Sequence, residues 1–99
     1  MSAGEFREIF SIAAAHAALP GHFPGRPVVP GVVLLDRVAA ALERWRGARI
    51  AGLPQVKFLR PLLPEQEAEL LLEDDGKSIR FRIVHAQATI ASGSVELAR

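Results

Sequence analysis

Between Val32 and Leu42 the sequence reads VVLLDRVAAAL, and only Asp36 and Arg37 interrupt the apolar side chains. Pro30 precedes this run, at a position where the missing N–H of proline costs a starting helix little. Gly47 follows it as a natural stop. The spacing predicts a helix from Val32 to about Arg46, with polarity returning only at Glu43, Arg44 and Arg46. A helix whose early turns are apolar nearly all round has no face to give to water, so it is read as buried. In a chain of 99 residues, one domain's worth, the rest of the sequence has to enclose it.

That remainder alternates as antiparallel strands do. EFREIFSIAA (5–14) reads as a first strand, and the Pro/Gly-rich segment 20–31 excludes regular structure. RIAGLPQVKFLRP (49–61) is a strand with prolines at its irregular points, and EAELLLED (67–74) is the next. DDGK (74–77) makes a hairpin turn into SIRFRIVHA (78–86), which sets Ile79, Phe81 and Ile83 on one face and Arg80 and Arg82 on the other. ATIASGSVELA (88–98) completes the set, and Trp45 is expected to pack the helix end onto the sheet. The predicted class is α+β: a single domain, 1–99, in which a curved antiparallel sheet wraps one long buried helix. The free edge strand of such a sheet needs a cover, and pairing across a two-fold axis predicts a dimer with a continuous sheet.

Composition excludes several functions. There is no cysteine, hence no disulfide framework, thiolate nucleophile or thiolate-bound zinc. His16 and His85 have no partner at ligand spacing, so no metal is expected. The formal net charge is +1 with acids and bases interspersed, which gives no nucleic-acid footprint. No apolar stretch reaches the roughly 20 residues of a membrane helix. FSIAAAHAALPG (10–21) has the small residues of a signal-peptide cleavage site, but two glutamates precede it and His16 interrupts it. The expected location is the cytoplasm.

The segment with most chemical content is GHFPGRPVVPGVVLLD (21–36), where Pro24, Pro27, Pro30, Gly21, Gly25 and Gly31 fix a backbone path between His22 and Asp36. Its residues His22, Phe23, Pro24, Gly25, Pro27, Val28, Pro30, Gly31 and Asp36 closely resemble the signature of the hot-dog-fold 3-hydroxyacyl-acyl carrier protein dehydratases of fatty acid synthesis. VKFLRPLLP (56–64) is similar to that family's Lys-Phe-x-x-Pro segment, and ASGSVELA (91–98) to its last strand. The chain is short for the family. It resembles the small dehydratase-like proteins of polyketide, aryl-polyene or similar lipid pathways.

The implied reaction removes a C2 proton from a 3-hydroxyacyl thioester and expels the C3 hydroxyl, leaving the trans-2-enoyl thioester. Histidine supplies a base near neutrality, which assigns that role to His22. A carboxyl in an apolar helix has its charged form disfavoured, so Asp36 is the expected general acid. Gly31, at the helix N-terminus, is the expected donor to the thioester oxygen. Phe23, Pro30 and Val32 are placed at the substrate. Loop and helix lengths leave open whether His22 and Asp36 meet within a chain; the resemblance implies that they meet across a homodimer. No cofactor is expected beyond the phosphopantetheine arm of the partner, acyl carrier protein. Arg26, Lys57 and Arg60, with Arg44 and Arg46, are candidates to steer that acidic partner.

Simpler roles stand beside these. Asp36 pairs in one of them with Arg37 or Lys57, and Gly31 only shapes the turn. For the chain as a whole the alternatives are a non-catalytic hot-dog acyl-binding or partner subunit, or an acyl thioesterase on the same fold.

Overall fold

The computed structural model describes residues 4–14 and 28–98. Strand β1 (Gly4–Phe10) precedes helix α1 (Gly31–Arg46), and four strands follow: β2 (Ile50–Phe58), β3 (Ala68–Asp74), β4 (Ile79–His85) and β5 (Ala88–Leu97). All pair antiparallel in one sheet of order β1-β3-β4-β5-β2, which leaves β1 and β2 as its edges.

Alternation decides which side of the sheet meets the helix. In β4, Ile79, Phe81 and Ile83 are buried while Arg80 and Arg82 are exposed. In β3, Ala68, Leu70 and Leu72 turn the same way. These side chains share one core with Val33, Leu34, Val38, Ala41 and Leu42 of α1. Each Val, Leu, Ile or Phe side chain among them contributes about 1.5–3 kcal/mol on removal from water. Trp45 packs the helix end as expected: its ring stacks on Phe6 of β1 with centroids 6.0 Å apart, and the Arg46 guanidinium lies 3.9 Å above it. Arg46 also pairs with the buried Asp74 at 3.0 Å. The helix ends where predicted, at Gly47 (φ 62), whose N–H donates to the Glu43 carbonyl at 2.7 Å.

Three expectations need correction. The first strand stops at Phe10 rather than at residue 14. Ile12 is buried beyond the ladder, so its apolar character reports burial and not strand pairing. The strand read from 49 to 61 stops at Phe58, while the irregularity expected at a proline is present: the β2–β5 register shifts between Ile50 and Gly52 and again before Gln55, around Pro54. An edge strand tolerates both irregularities because its outer N–H groups have no neighbour to serve. The third correction concerns the helix. A single sheet covers one side of it, and on the other Val32 (63% exposed), Asp36 and Ala40 remain in contact with solvent. Residues four apart share a face, so these positions form one continuous uncovered stripe.

The β3–β4 turn is tied by the Asp75 side chain, which accepts from the N–H groups of Lys77 and Ser78, both at 2.9 Å. Those bonds hold its carboxyl below the usual aspartate range. His85 bonds the Glu67 carbonyl through Nδ1 at 2.7 Å, a structural link across the start of the β3–β4 pair. Ala86 and Gln87, with φ of 50° and 68°, make the two-residue turn from β4 to β5. Positive φ at both centres matches the twist of the strands they join. No helix among the described residues is long and apolar enough to cross a membrane.

Candidate active site

Helix α1 starts at Gly31 because Pro30 can cap it only through its backbone. Pro30 is extended (φ −62°, ψ 146°), and its carbonyl accepts from Val33 N–H at 3.0 Å and Leu34 N–H at 3.4 Å. The N–H groups of Gly31 and Val32 have no acceptor among the described residues. Two free donors at the positive end of a helix form the arrangement expected to receive a developing oxyanion.

The ring of Phe58 lies directly against this end. A Cβ built on Gly31 would stand 2.7 Å from its Cζ and 2.9 Å from its Cε1. Only a residue without a side chain lets the ring and the helix start approach so closely. Phe58 is 53% exposed, so its ring covers Gly31 on one side and meets solvent on the other. In the sequence Phe58 stands inside a family segment with no role assigned to it. The signal was the alternation of β2, which turns Val56 inward to the core and Phe58 to the same side.

Asp36 stands on the uncovered stripe, one helical turn beyond Val32. It is exposed, so its own chain does not supply the burial expected to keep it protonated. It has no ion pair or hydrogen bond with any described residue, so the simpler pairing with Arg37 or Lys57 is not formed. Arg37 is engaged elsewhere, with its guanidinium 5.4 Å from the centroid of the Phe10 ring. The carboxylate between Val32 and Ala40 therefore gains no bond from the described residues. Beside it a shallow groove of about 430 Å³ runs between Ala39, Ala40 and Glu43 of the helix and Ala48, Arg49 and Ile50 at the start of β2. The uncovered stripe thus continues into an open sheet edge.

His22, Phe23 and Arg26 lie outside the described residues, as does His16. The remaining basic candidates separate. Arg44 pairs with Glu8, and Arg46 is held by Asp74 and Trp45, so both carry structural work. Arg60 is exposed two residues past Phe58. Lys57 faces the other way, into a trough of about 650 Å³ on the helix-free side of the sheet, beside Arg80, Arg82, Ser92 and Ser94. It is therefore not gathered at the helix start with Phe58 and Gly31.

Comparison with known proteins supplies the context for this geometry. Residues 2–94 match the model of a family described as ApeI-like, ApeI dehydratase. The 3-hydroxyacyl-(acyl-carrier-protein) dehydratase FabZ of Haemophilus influenzae Rd is 32% identical over 74 residues, covering 65% of this chain and 50% of that protein. FabZ of Thermus thermophilus is 34% identical over 87 residues, covering 78% of this chain and 58% of that protein. The chain thus spans about half the length of the curated relatives it matches. Among solved structures, the dehydratase heterocomplex ApeI:P from Xenorhabdus doucetiae superposes with a TM-score of 0.82 at 27% identity, over the full length of both chains. An uncharacterized protein from Erwinia carotovora superposes with a TM-score of 0.81 at 24% identity, covering 99% of this chain and 86% of that one, and so shares the fold.

Proposed function

The chain belongs to the ApeI-like dehydratase family, a hot-dog-fold group related to FabZ, and from that membership we propose that it dehydrates a 3-hydroxyacyl thioester carried by acyl carrier protein. The product is the trans-2-enoyl thioester, with a lipid, polyketide or aryl-polyene-type pathway as its setting. The observation that carries the reading is Asp36: an exposed carboxylate, without a partner among the described residues, on an otherwise apolar helix stripe.

Each group then has one task. His22 takes the C2 proton, and the electron pair passes toward the thioester carbonyl. The Gly31 N–H, at the free end of α1, donates to that oxygen as its charge grows. Asp36 gives its proton to the C3 hydroxyl, which leaves as water while the C2–C3 double bond forms. Phe58 covers the Gly31 side of the site, and Pro30, Val32 and Phe23 are assigned to contact with the substrate. Arg26 and Arg60 meet the acidic carrier, whose phosphopantetheine arm brings the substrate; no further cofactor takes part.

Asp36 performs this task only when something takes it out of water, which favours its neutral, proton-donating form. A second copy of the chain does so if its β2 edge pairs with β2 and its helix closes over the Val32–Asp36–Ala40 stripe. In that homodimer Asp36 of one protomer serves His22 of the other. The Xenorhabdus doucetiae neighbour is a heterocomplex, which favours a second reading in which the covering chain is a different hot-dog subunit.

Incubation of the protein with 3-hydroxyacyl-carrier proteins of several acyl lengths, followed by mass spectrometry, tests the proposal. Loss of one water from at least one substrate is the expected result. A folded dimer that turns over none of them would instead be a binding or partner subunit. Release of free acid in place of the enoyl product would mark a thioesterase.

A further inference from the structure

The trough of about 650 Å³ crosses the face of the sheet turned away from α1, and its shape follows from the strand register. Lys57, Ser92 and Arg82 are direct cross-strand partners, and Gln55, Ser94 and Arg80 form the next row. β5 is an interior strand, where β-branched and aromatic side chains are the usual choice. Two serines stand there instead, and their short side chains make a floor between longer walls. The hydroxyls of Ser92 and Ser94 bond no described residue.

Charge on this face is matched at one end and unmatched at the other. Toward β1, Arg7 lies 3.7 Å from Glu5 and 3.9 Å from Glu69. Arg80 has Glu73 as its cross-strand partner. Toward β2 the row runs Lys57, Ser92, Arg82, Leu71, Arg7 and contains no acid. Neither Lys57 nor Arg82 makes an ion pair with a described residue. Opposite charges on neighbouring strands stabilise a polar sheet face, and here a hydroxyl stands between two cations where an acid would serve. Two ladder spacings, about 10 Å, separate the strands of Lys57 and Arg82. Both long side chains can therefore reach over Ser92 to one anion between them.

We propose that Lys57, Arg82 and the Ser92 hydroxyl bind the phosphate group of a small soluble phosphate monoester, whose remaining body lies along β5 over Ser94. Such a group carries about two negative charges and three acceptor oxygens, which suits one ammonium, one guanidinium and one hydroxyl. Gln55 and Ser94 offer neutral hydrogen-bonding groups to a polar body. The unmatched patch extends one strand to either side of Ser92, the reach of one phosphate group. A stable protein partner would need about 800 Å² of this surface, much of which already matches its own charges. The site lies on the opposite side of the sheet from Gly31 and Asp36, and it does not depend on the proposed dehydration.

Titration of the isotope-labelled full chain with glycerol phosphate, and separately with inorganic phosphate, tests this by NMR at constant ionic strength. Saturable shifts are expected at the amides of Lys57, Ser92 and Arg82. Lys57→Gln and Arg82→Gln are each expected to weaken binding about 10- to 100-fold, the loss of one charge-assisted hydrogen bond. Ser92→Val keeps both cations but fills the floor, and is expected to weaken binding about 10-fold. Arg49→Gln removes the same charge from the helix side of the sheet, beside Ala48 and Ile50, and is expected to leave binding unchanged. None of these positions is buried, so all four variants are expected to keep the wild-type melt. Shifts that grow without saturating overturn the proposal, and so does a loss in Arg49→Gln equal to that in Arg82→Gln, since both mark general charge attraction. Full binding in Ser92→Val overturns it as well. A response to acyl carrier protein or to phosphatidylglycerol vesicles, with none to either phosphate, also overturns it and makes this face a protein or membrane contact.

Discussion

Replacement of His22 by alanine is expected to lower dehydration by about 10²- to 10⁴-fold at saturating substrate, the range over which a positioned acid or base contributes. Asp36→Asn is expected to fall in the same range, because asparagine keeps the shape and loses the transferable proton. The stability of Asp36→Asn should hold, since Asp36 has no bond to lose within the described chain. A mixture of the two variants separates pairing within a chain from pairing across two. If the site is shared, a hybrid dimer contains one site with both His22 and Asp36 intact and one with neither. Equal mixing by unfolding and refolding then returns about one quarter of wild-type turnover, half of the dimers being hybrid and half of their sites intact. Pairing within one chain returns none. Full activity in Asp36→Asn alone would remove the acid role from this residue.

The second large effect lies in the sheet. Gly93 of β5 faces the core opposite Phe81 of β4 and Val56 of β2. A Cβ there would stand 2.2 Å from the Gln55 carbonyl oxygen and 2.6 Å from Cε2 of Phe81. The first is backbone of the strand whose register has just shifted, and the second is a ring 2% exposed in the core. Neither can yield alone. Gly93→Ala is therefore expected to cost about 3 kcal/mol, the upper end of ordinary overpacking. In a domain of this size that lowers the melting temperature by roughly 12–24 °C. Gly52→Ala is the matched control: its added methyl meets only the Glu96 carboxylate, at 3.2 Å on a side chain that can swing away. Thermal melts of the two variants check the contrast, and equal losses would contradict the packing argument.

The sequence exposes elements through two signals, apolar periodicity and backbone breakers, and the outcome follows their reach. The helix was legible because Pro30 and Gly47 bracket an apolar run. The strands were legible because β4 alternates without exception from Ile79 to Ile83. Periodicity cannot tell burial in a ladder from burial beside one, which is why Ile12 extended β1 too far. Nor can it tell an apolar residue that faces the core from one left at the surface, and Val32, 63% exposed, is of the second kind. That ambiguity placed Asp36 in a buried helix when the chain leaves it exposed. Glu65, at φ 70°, donates its N–H to the Ile12 carbonyl and accepts from the Ala14 N–H through Oε2. These bonds left no trace in the sequence, because Pro64-Glu65-Gln66 reads as an ordinary turn while a glycine would have announced positive φ. The Phe58–Gly31 contact joins residues far apart in sequence and belongs to packing alone.

The uncovered helix stripe also bears on how the protein melts. Any chain that closes over Val32, Asp36 and Ala40 does so only while α1 is folded, so covering and folding become linked equilibria. The melting temperature then climbs with the logarithm of the concentration of the covering species. For a homodimer that species is the protein itself, and dilution alone lowers the melt. For a heterocomplex the melt is indifferent to self-dilution and rises only as the second subunit is titrated in. A dilution series therefore tests whether a second copy covers the stripe, and titration of a second subunit tests the heterocomplex, both without any substrate.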